Sequence, residues 1–180
     1  HTTNTANTTN TTVTANATNT TITAHTSDTA NTTNTTITVN GESSIVGGCI
    51  NNAIKINTNK GDFFVKWNTN SKANMFQSEY SGLKVLKDTN TIRIPNVLCF
   101  DDNFLILEFI PPSNPNNAFW EVFGQKLALM HKQTHSKFGL DFDNYIGSLY
   151  QDNTQKKNWT EFFIQNRLQA QLSIGNFSGT

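Results

Sequence analysis

Lysine, arginine, glutamate, phenylalanine, tryptophan and tyrosine are all missing from the first 40 residues, where Asp28 is the one charged group. With Val13, Ile22, Ile37 and Val39 as its only large apolar side chains, this stretch buries too little surface to offset the entropy of ordering its backbone. Residues 1–40 are therefore expected to form a disordered, low-complexity tail. Cysteine is scarce throughout: Cys49 and Cys99 are too few for a disulfide scaffold and fit a reducing, cytoplasmic compartment. No apolar run approaches the roughly 18 residues of a membrane span, and His1 opens neither a basic nor an apolar leader, so neither membrane insertion nor a secretory signal is expected. A first residue other than methionine suggests a fragment or a processed product. An excess of one charge is lacking too. Thirteen basic side chains balance thirteen acidic ones, so bulk charge gives no support to a nucleic-acid or anionic-membrane partner.

The first 40 residues do contain a repeat. Thr5 to Thr14 (TANTTNTTVT) recurs as Thr29 to Thr38 (TANTTNTTIT). Because threonine favours strands and Thr-Ile-Thr-Val alternates, a threonine-rich strand stack is the competing expectation for this segment. Everything aromatic lies beyond residue 40, where an ordinary globular composition returns.

That remainder reads as alternating strands and helices. Ser43–Val46 and Ile50–Ile56 flank Gly47-Gly48, a pattern for a hairpin whose glycines let backbone N–H groups approach a ligand, or for a plain tight turn. Phe63-Phe64-Val65-Lys66-Trp67 alternates as a strand and puts Lys66 on the face opposite Phe63, Val65 and Trp67. Phe76, Tyr80 and Leu83 stand at i, i+4 and i+7 of a helix over 72–86, with Glu79 beside that stripe. A strand lysine held by a glutamate of the following helix, beneath a glycine-rich hairpin, is how protein-kinase-like folds set a cation against nucleotide phosphates. Each of the two taken alone equally suits a solvated surface.

Ile92–Phe100 and Asn103–Ile110 read as two further strands, the second an unbroken apolar run suited to burial and ended by Pro111-Pro112. Such a strand running into Glu108-Phe109-Ile110 fits a linker whose backbone meets an adenine edge, or an ordinary edge strand. Trp120, Phe123, Leu127 and Met130 predict a core helix from Phe119 to about His135. His131 and His135 lack the glutamate of a helical zinc motif, and Asp141-Phe142-Asp143-Asn144 lacks the glycine and distal glutamate of a calcium loop and reads as a turn. No metal-ligating set is expected. Trp159, Phe162, Phe163, Ile164 and Leu168 mark a last helix.

Several of these segments, in this order, are similar to the fructosamine/ketosamine-3-kinase family: Ser44–Ala53, Phe64–Asn68, Met75–Leu83, Ile94–Val97, Leu127–His131, Phe138-Gly139 through Asp143–Gly147, Gln151–Asn153, and Trp159 through Arg167-Leu168. The resemblance implies an α+β, protein-kinase-like fold. Residues 41–110 would form an antiparallel five-stranded amino-terminal lobe with one helix, and 111–180 a linker and the first helices of a truncated second lobe. It implies an ATP- and Mg²⁺-dependent kinase that phosphorylates the sugar 3-hydroxyl of glycated amines, free or on protein lysines. Gly47, Gly48 and Cys49 would then cover the phosphates, Lys66 would contact them, Glu79 would orient Lys66, and Glu108, Phe109 and Ile110 would line the adenine. Cys49 would be a glycine-loop thiol, redox-sensitive or inert.

This chain departs from the family in one respect. Relatives continue into a His-Gly-Asp catalytic segment, whereas none of His1, His25, His131 and His135 starts such a motif. No catalytic residue is therefore assigned, and the chain is expected to be an inactive amino-terminal fragment of such an enzyme. A non-catalytic nucleotide-binding module (a truncated pseudokinase) and a small-molecule kinase of the aminoglycoside phosphotransferase type stay open.

Overall fold

The structure is a computed structural model that describes residues 11–16, 19–28, 31–45 and 50–176. Two compact units divide the chain, one of His1–Leu83 and Ile94–Asn114, the other of Lys84–Arg93 and Pro115–Thr180.

The first unit is an antiparallel sheet with one helix. Its strands are β1 (Thr11–Asn16), β2 (Asn19–Asp28), β3 (Asn31–Ser44), β4 (Asn52–Thr58), β5 (Gly61–Trp67), β6 (Val97–Asp101) and β7 (Phe104–Glu108), in the spatial order β1-β2-β3-β4-β5-β7-β6. The strands β3 to β7 are the five expected of the lobe. The threonine-rich strands continue the same sheet at its β3 edge. Residues 11–16, 19–28 and 31–44 run as paired strands, while residues 1–10, 17–18 and 29–30 lie outside the described residues. The register gives a physical reason: Val13 stands opposite Ile22, and Ile22 opposite Ile37, so the few apolar residues of the repeat fall in one row across three strands. Ile37 ends that row in the core at 1% exposure.

Strands β1 and β2 also come into contact with β6. Six strand spacings separate β1 from β6 in the sheet order, about 29 Å in a flat sheet, so the sheet is strongly coiled. Its concave face packs Ile37, Ile56, Cys99 and Ile106 together, with Val39, Ile54, Phe63 and Val65 around them. Helix α1 (Met75–Asp88) covers the other face. Phe76 and Leu83 meet Leu105, Leu107, Phe64 and Phe100 there, and Tyr80 stacks on Phe100 at 4.7 Å between ring centroids. The period of two along β5 and β7 sends Phe63, Val65 and Ile106 one way and Phe64, Lys66, Leu105 and Leu107 the other. Asn74, at φ 58°, turns the chain into the helix.

Strand β6 begins at Val97 rather than Ile92. Pro95 has no N–H to give a ladder, so regular pairing starts after it.

The second unit holds α2 (Phe119–His131), a hairpin of β8 (Asn144–Ile146) and β9 (Leu149–Gln151), α3 (Trp159–Phe163), a π-helical turn (Ile164–Leu168) and α4 (Gln169–Asn176). Asn144 thus opens a strand rather than closing a turn, with Gly147 at φ 60° carrying the bend. Asn158 caps α3, its Oδ1 accepting from Thr160 N at 2.8 Å and Glu161 N at 3.4 Å. Helix α2 is not the core helix that its periodicity suggests. None of its residues is buried, and Trp120 is 70% exposed. A 3.6-residue apolar period shows that a face seeks cover but not that cover is present. The helix also stops at His131, four residues early, with Lys132 N bonding back to Ala128 O at 3.1 Å.

Candidate functional site

The site expected from the sequence falls within the first unit. Lys66 stands in β5 between Ala53 of β4 and Leu105 of β7. Its aliphatic stem thereby lies on the face that α1 covers, where Glu79 occupies the helix position between Phe76 and Leu83. Burial of Phe76 fixes the rotation of the helix and so aims Glu79 at the sheet. Lys66 Nζ donates to Glu79 Oε1 at 3.0 Å and to Oε2 at 2.8 Å. Both side chains keep some solvent contact, 25% and 32% exposed, so the ammonium is held in place yet remains reachable.

At the other end of the same face, β7 leaves the sheet. Glu108 N–H donates to Asn96 O at 2.8 Å, and Phe109 N–H to Asp62 O at 3.2 Å. The Glu108 carboxylate turns back, Oε2 accepting from Asn96 N at 3.1 Å and from Asn96 Nδ2 at 2.9 Å. Ile110 is the first residue past the strand, 38% exposed, and its N–H has no partner among the described residues. Lys55 Nζ lies 4.8 Å above the Phe109 ring and pairs with Asp62 Oδ2 at 2.7 Å. That lysine, followed by Asn57 Nδ2 at 2.7 Å, holds the Asp62 carboxyl below the usual carboxylate range.

Lys66 and Glu79 are thus brought together, while Glu108, Phe109 and Ile110 follow one another at the end of the neighbouring strand β7. Gly47, Gly48 and Cys49 lie outside the described residues. Among the described residues no three His, Cys, Asp or Glu side chains converge as metal ligands, and no helix is long and apolar enough to cross a membrane.

Two polar clusters have no signal in the sequence. Asn68, two residues past Lys66, bonds to Ile50 and Asn51. In the second unit, Asn153, 2% exposed, donates from its N–H to Asp143 Oδ1 at 2.7 Å and from Nδ2 to Phe142 O at 3.1 Å and Asn144 Oδ1 at 3.0 Å. Arg167 Nη2 donates to Asn153 Oδ1 at 2.5 Å, Arg167 Nη1 to Asp152 O at 2.8 Å, and Asn166 Nδ2 to the same carbonyl at 3.3 Å. Thr154, by its side chain and its backbone N–H, holds the Asp152 carboxyl low. Asp143 accepts from the Tyr150 hydroxyl, which pushes that phenol up to about 12. Asparagine is common in this chain, so neither cluster stands out in the sequence; only the number of partners each one gathers marks it.

The sequence profile of the fructosamine kinase family matches residues 20–179. The chain is 43% identical over 141 residues to a chloroplastic protein-ribulosamine 3-kinase of Oryza sativa subsp. indica, covering 74% of this chain and 41% of that protein. It is 41% identical over 138 residues to the corresponding Arabidopsis thaliana protein, covering 73% and 42%. Among solved structures it is similar to a protein assigned as a fructosamine-3-kinase from Haemophilus somnus, with a TM-score of 0.71 and 33% identity over 78% of this chain and 50% of that one. A second, from Thermobifida fusca, gives a TM-score of 0.65 at 29% identity over 72% and 46%. The chain thus spans about two-fifths of the length of the plant relatives and half or a little less of the solved ones. With a five-stranded sheet and helix of the kinase-like kind, and a family match over most of its length, the chain belongs to the fructosamine kinase family.

Proposed function

We propose that this chain is the nucleotide-holding part of an ATP-dependent ketosamine kinase, whose whole form phosphorylates the sugar 3-hydroxyl of a glycated amine, free or on a protein lysine, in a cytoplasmic setting. The observation that carries the reading is the two-oxygen pairing of Lys66 with Glu79 across β5 and α1. A carboxylate that binds both sides of an ammonium removes its freedom to wander, so the charge is already in place when an anion arrives. Lys66 would hold phosphate oxygens and Glu79 would keep Lys66 aimed at them. Gly47, Gly48 and Cys49 are the residues assigned to cover the phosphates. Ile110 would present its N–H to the adenine edge, since the N–H groups of Glu108 and Phe109 are already spent within the sheet. Bound ATP, with its Mg²⁺, supplies the phosphoryl group and the leaving group. What this chain contributes is binding and orientation. Accepting the hydroxyl proton belongs to a His-Gly-Asp segment that these 180 residues do not contain.

The test is to incubate the chain, and a version extended through that segment, with Mg·ATP and a fructosamine or ribulosamine, and to follow phosphate on the sugar by phosphorus NMR. The extended protein is expected to turn over and the 180-residue chain to bind ATP without turnover. Turnover by the short chain would overturn the division of labour. ATP binding with no transfer by either form would favour the non-catalytic module, and transfer only to an aminoglycoside would move the acceptor class.

A further inference from the structure

The sheet face that carries Lys66 has a second charged group at its far end. Asp62 lies four residues before Lys66 on β5, about 13 Å away at 3.3 Å per residue, and the period of two puts both on one face. At the Asp62 end a clasp closes on Phe109. Lys55 Nζ donates to Asp62 Oδ2 at 2.7 Å and lies 4.8 Å from the centre of the Phe109 ring. Asp62 Oδ1 accepts from Asn57 Nδ2 at 2.7 Å, so both carboxylate oxygens are tied. The backbone of the same residue completes the loop, its carbonyl accepting from Phe109 N–H at 3.2 Å. The β4–β5 turn beneath is itself braced, Thr58 Oγ1 donating to Gly61 O at 2.7 Å and accepting from Lys60 N at 3.0 Å. Phe109 is therefore gripped by ring and by N–H, although it lies one residue past the end of β7. Lys55 is not arranged as a second phosphate lysine, because its ammonium is turned to Asp62 and Phe109, whereas that of Lys66 is turned to Glu79.

We propose that Lys55 is a positioning residue for the base end of the nucleotide: with Asp62 it holds Phe109 still, and so fixes the peptide that presents the Ile110 N–H to an adenine edge. This rests on the nucleotide-binding reading above. A donor on a loose strand end would have to be ordered when the base arrives, which lowers affinity. The clasp orders it beforehand.

The role has a specific signature, since it concerns the base and not the phosphates. Lys55→Met keeps the stem and removes the charge, Lys55→Arg keeps a cation for both the carboxylate and the ring, and Phe109→Leu removes the ring. In the full chain, affinities for adenosine, Mg·ATP and Mg·tripolyphosphate are measured by titration calorimetry, with thermal melting alongside. Lys55→Met and Phe109→Leu are each expected to weaken adenosine and ATP about three- to tenfold and to leave tripolyphosphate unchanged, with Lys55→Arg close to the wild type. The double variant Lys55→Met, Phe109→Leu is expected to lose little more than either single one. A loss for tripolyphosphate equal to that for ATP, additive losses in the double variant, or unchanged adenosine affinity in Lys55→Met would each overturn the role of Lys55 alone, as would a wild type that binds tripolyphosphate but not adenosine. A wild type that binds none of the three would overturn the nucleotide reading and this proposal with it. If Lys55→Met does not fold, Phe109→Leu with the same three ligands decides.

Discussion

Lys66 and Glu79 lie thirteen residues apart on different elements, yet the lysine ammonium donates to both oxygens of that one carboxylate, at 3.0 and 2.8 Å. Such a pair acts as a unit, so its two members should not behave additively. Glu79→Ala is expected to weaken Mg·ATP binding several-fold in the wild type and to change it little once Lys66 is already Met. Calorimetric titration of the four proteins closes the cycle. Additive losses would show that Glu79 acts on its own.

Leu105 is fully buried between the helix and the sheet, next to Phe76, and flanks Lys66 in the register. Leu105→Ala should cost about 2–5 kcal/mol of stability, read from chemical denaturation, because the coiled sheet leaves α1 little room to collapse onto the gap. ATP affinity should fall with it, since the rotation of α1 aims Glu79.

Gly139 separates two kinds of glycine. At φ +115°, a Cβ there would come 2.4 Å from Asn153 O and 3.1 Å from the Phe162 ring, so Gly139→Ala should destabilise by about 2 kcal/mol or more. Gly124, within α2, has open space around it, and Gly124→Ala should stabilise by up to about 1 kcal/mol. Thermal melting of the two variants is expected to move in opposite directions.

Tyr150 gives a pH signature. Its hydroxyl donates to Asp143, and its pKa is raised to about 12 from an ordinary 10. A raised folded value favours the protonated form, so this contribution to stability is complete below pH 10 and fades between about 10 and 12. Ultraviolet difference titration should show one of the three tyrosines ionising late, and Asp143→Asn should bring it back towards the ordinary range. Asp62 has the opposite sign. Its carboxyl is held low by Lys55, so its contribution is present above the ordinary carboxylate range and is lost as pH falls through the lowered value.

The parts of the first unit that rest on periodicity could be read from the sequence. Alternation in Phe63–Trp67 assigned Lys66 its face, and the spacing of Phe76, Tyr80 and Leu83 put Glu79 beside the helix stripe, because both depend on local geometry alone. The apolar residues Ile92 and Ile94 suggest an earlier start for β6, but Pro95 has no N–H to give the ladder, and the strand starts at Val97. The pairing of Val13 with Ile22 and of Ile22 with Ile37 is a tertiary register that composition does not contain. Helix α2 shows the converse, a pattern that demands burial without supplying it. The Asn68 and Asn153 clusters depend on which of many asparagines gathers partners in the fold, and no local signal marks those two.

The central claim is that Lys66, held by Glu79, binds the phosphates of a nucleotide. The most direct test is calorimetric titration of the full chain and of Lys66→Met with Mg·ATP. Removing charge-assisted hydrogen bonds worth about 1.5–3 kcal/mol should weaken binding by roughly ten- to a hundredfold, with melting little changed. Equal affinity in the two proteins, or no binding by the wild type, would contradict the account.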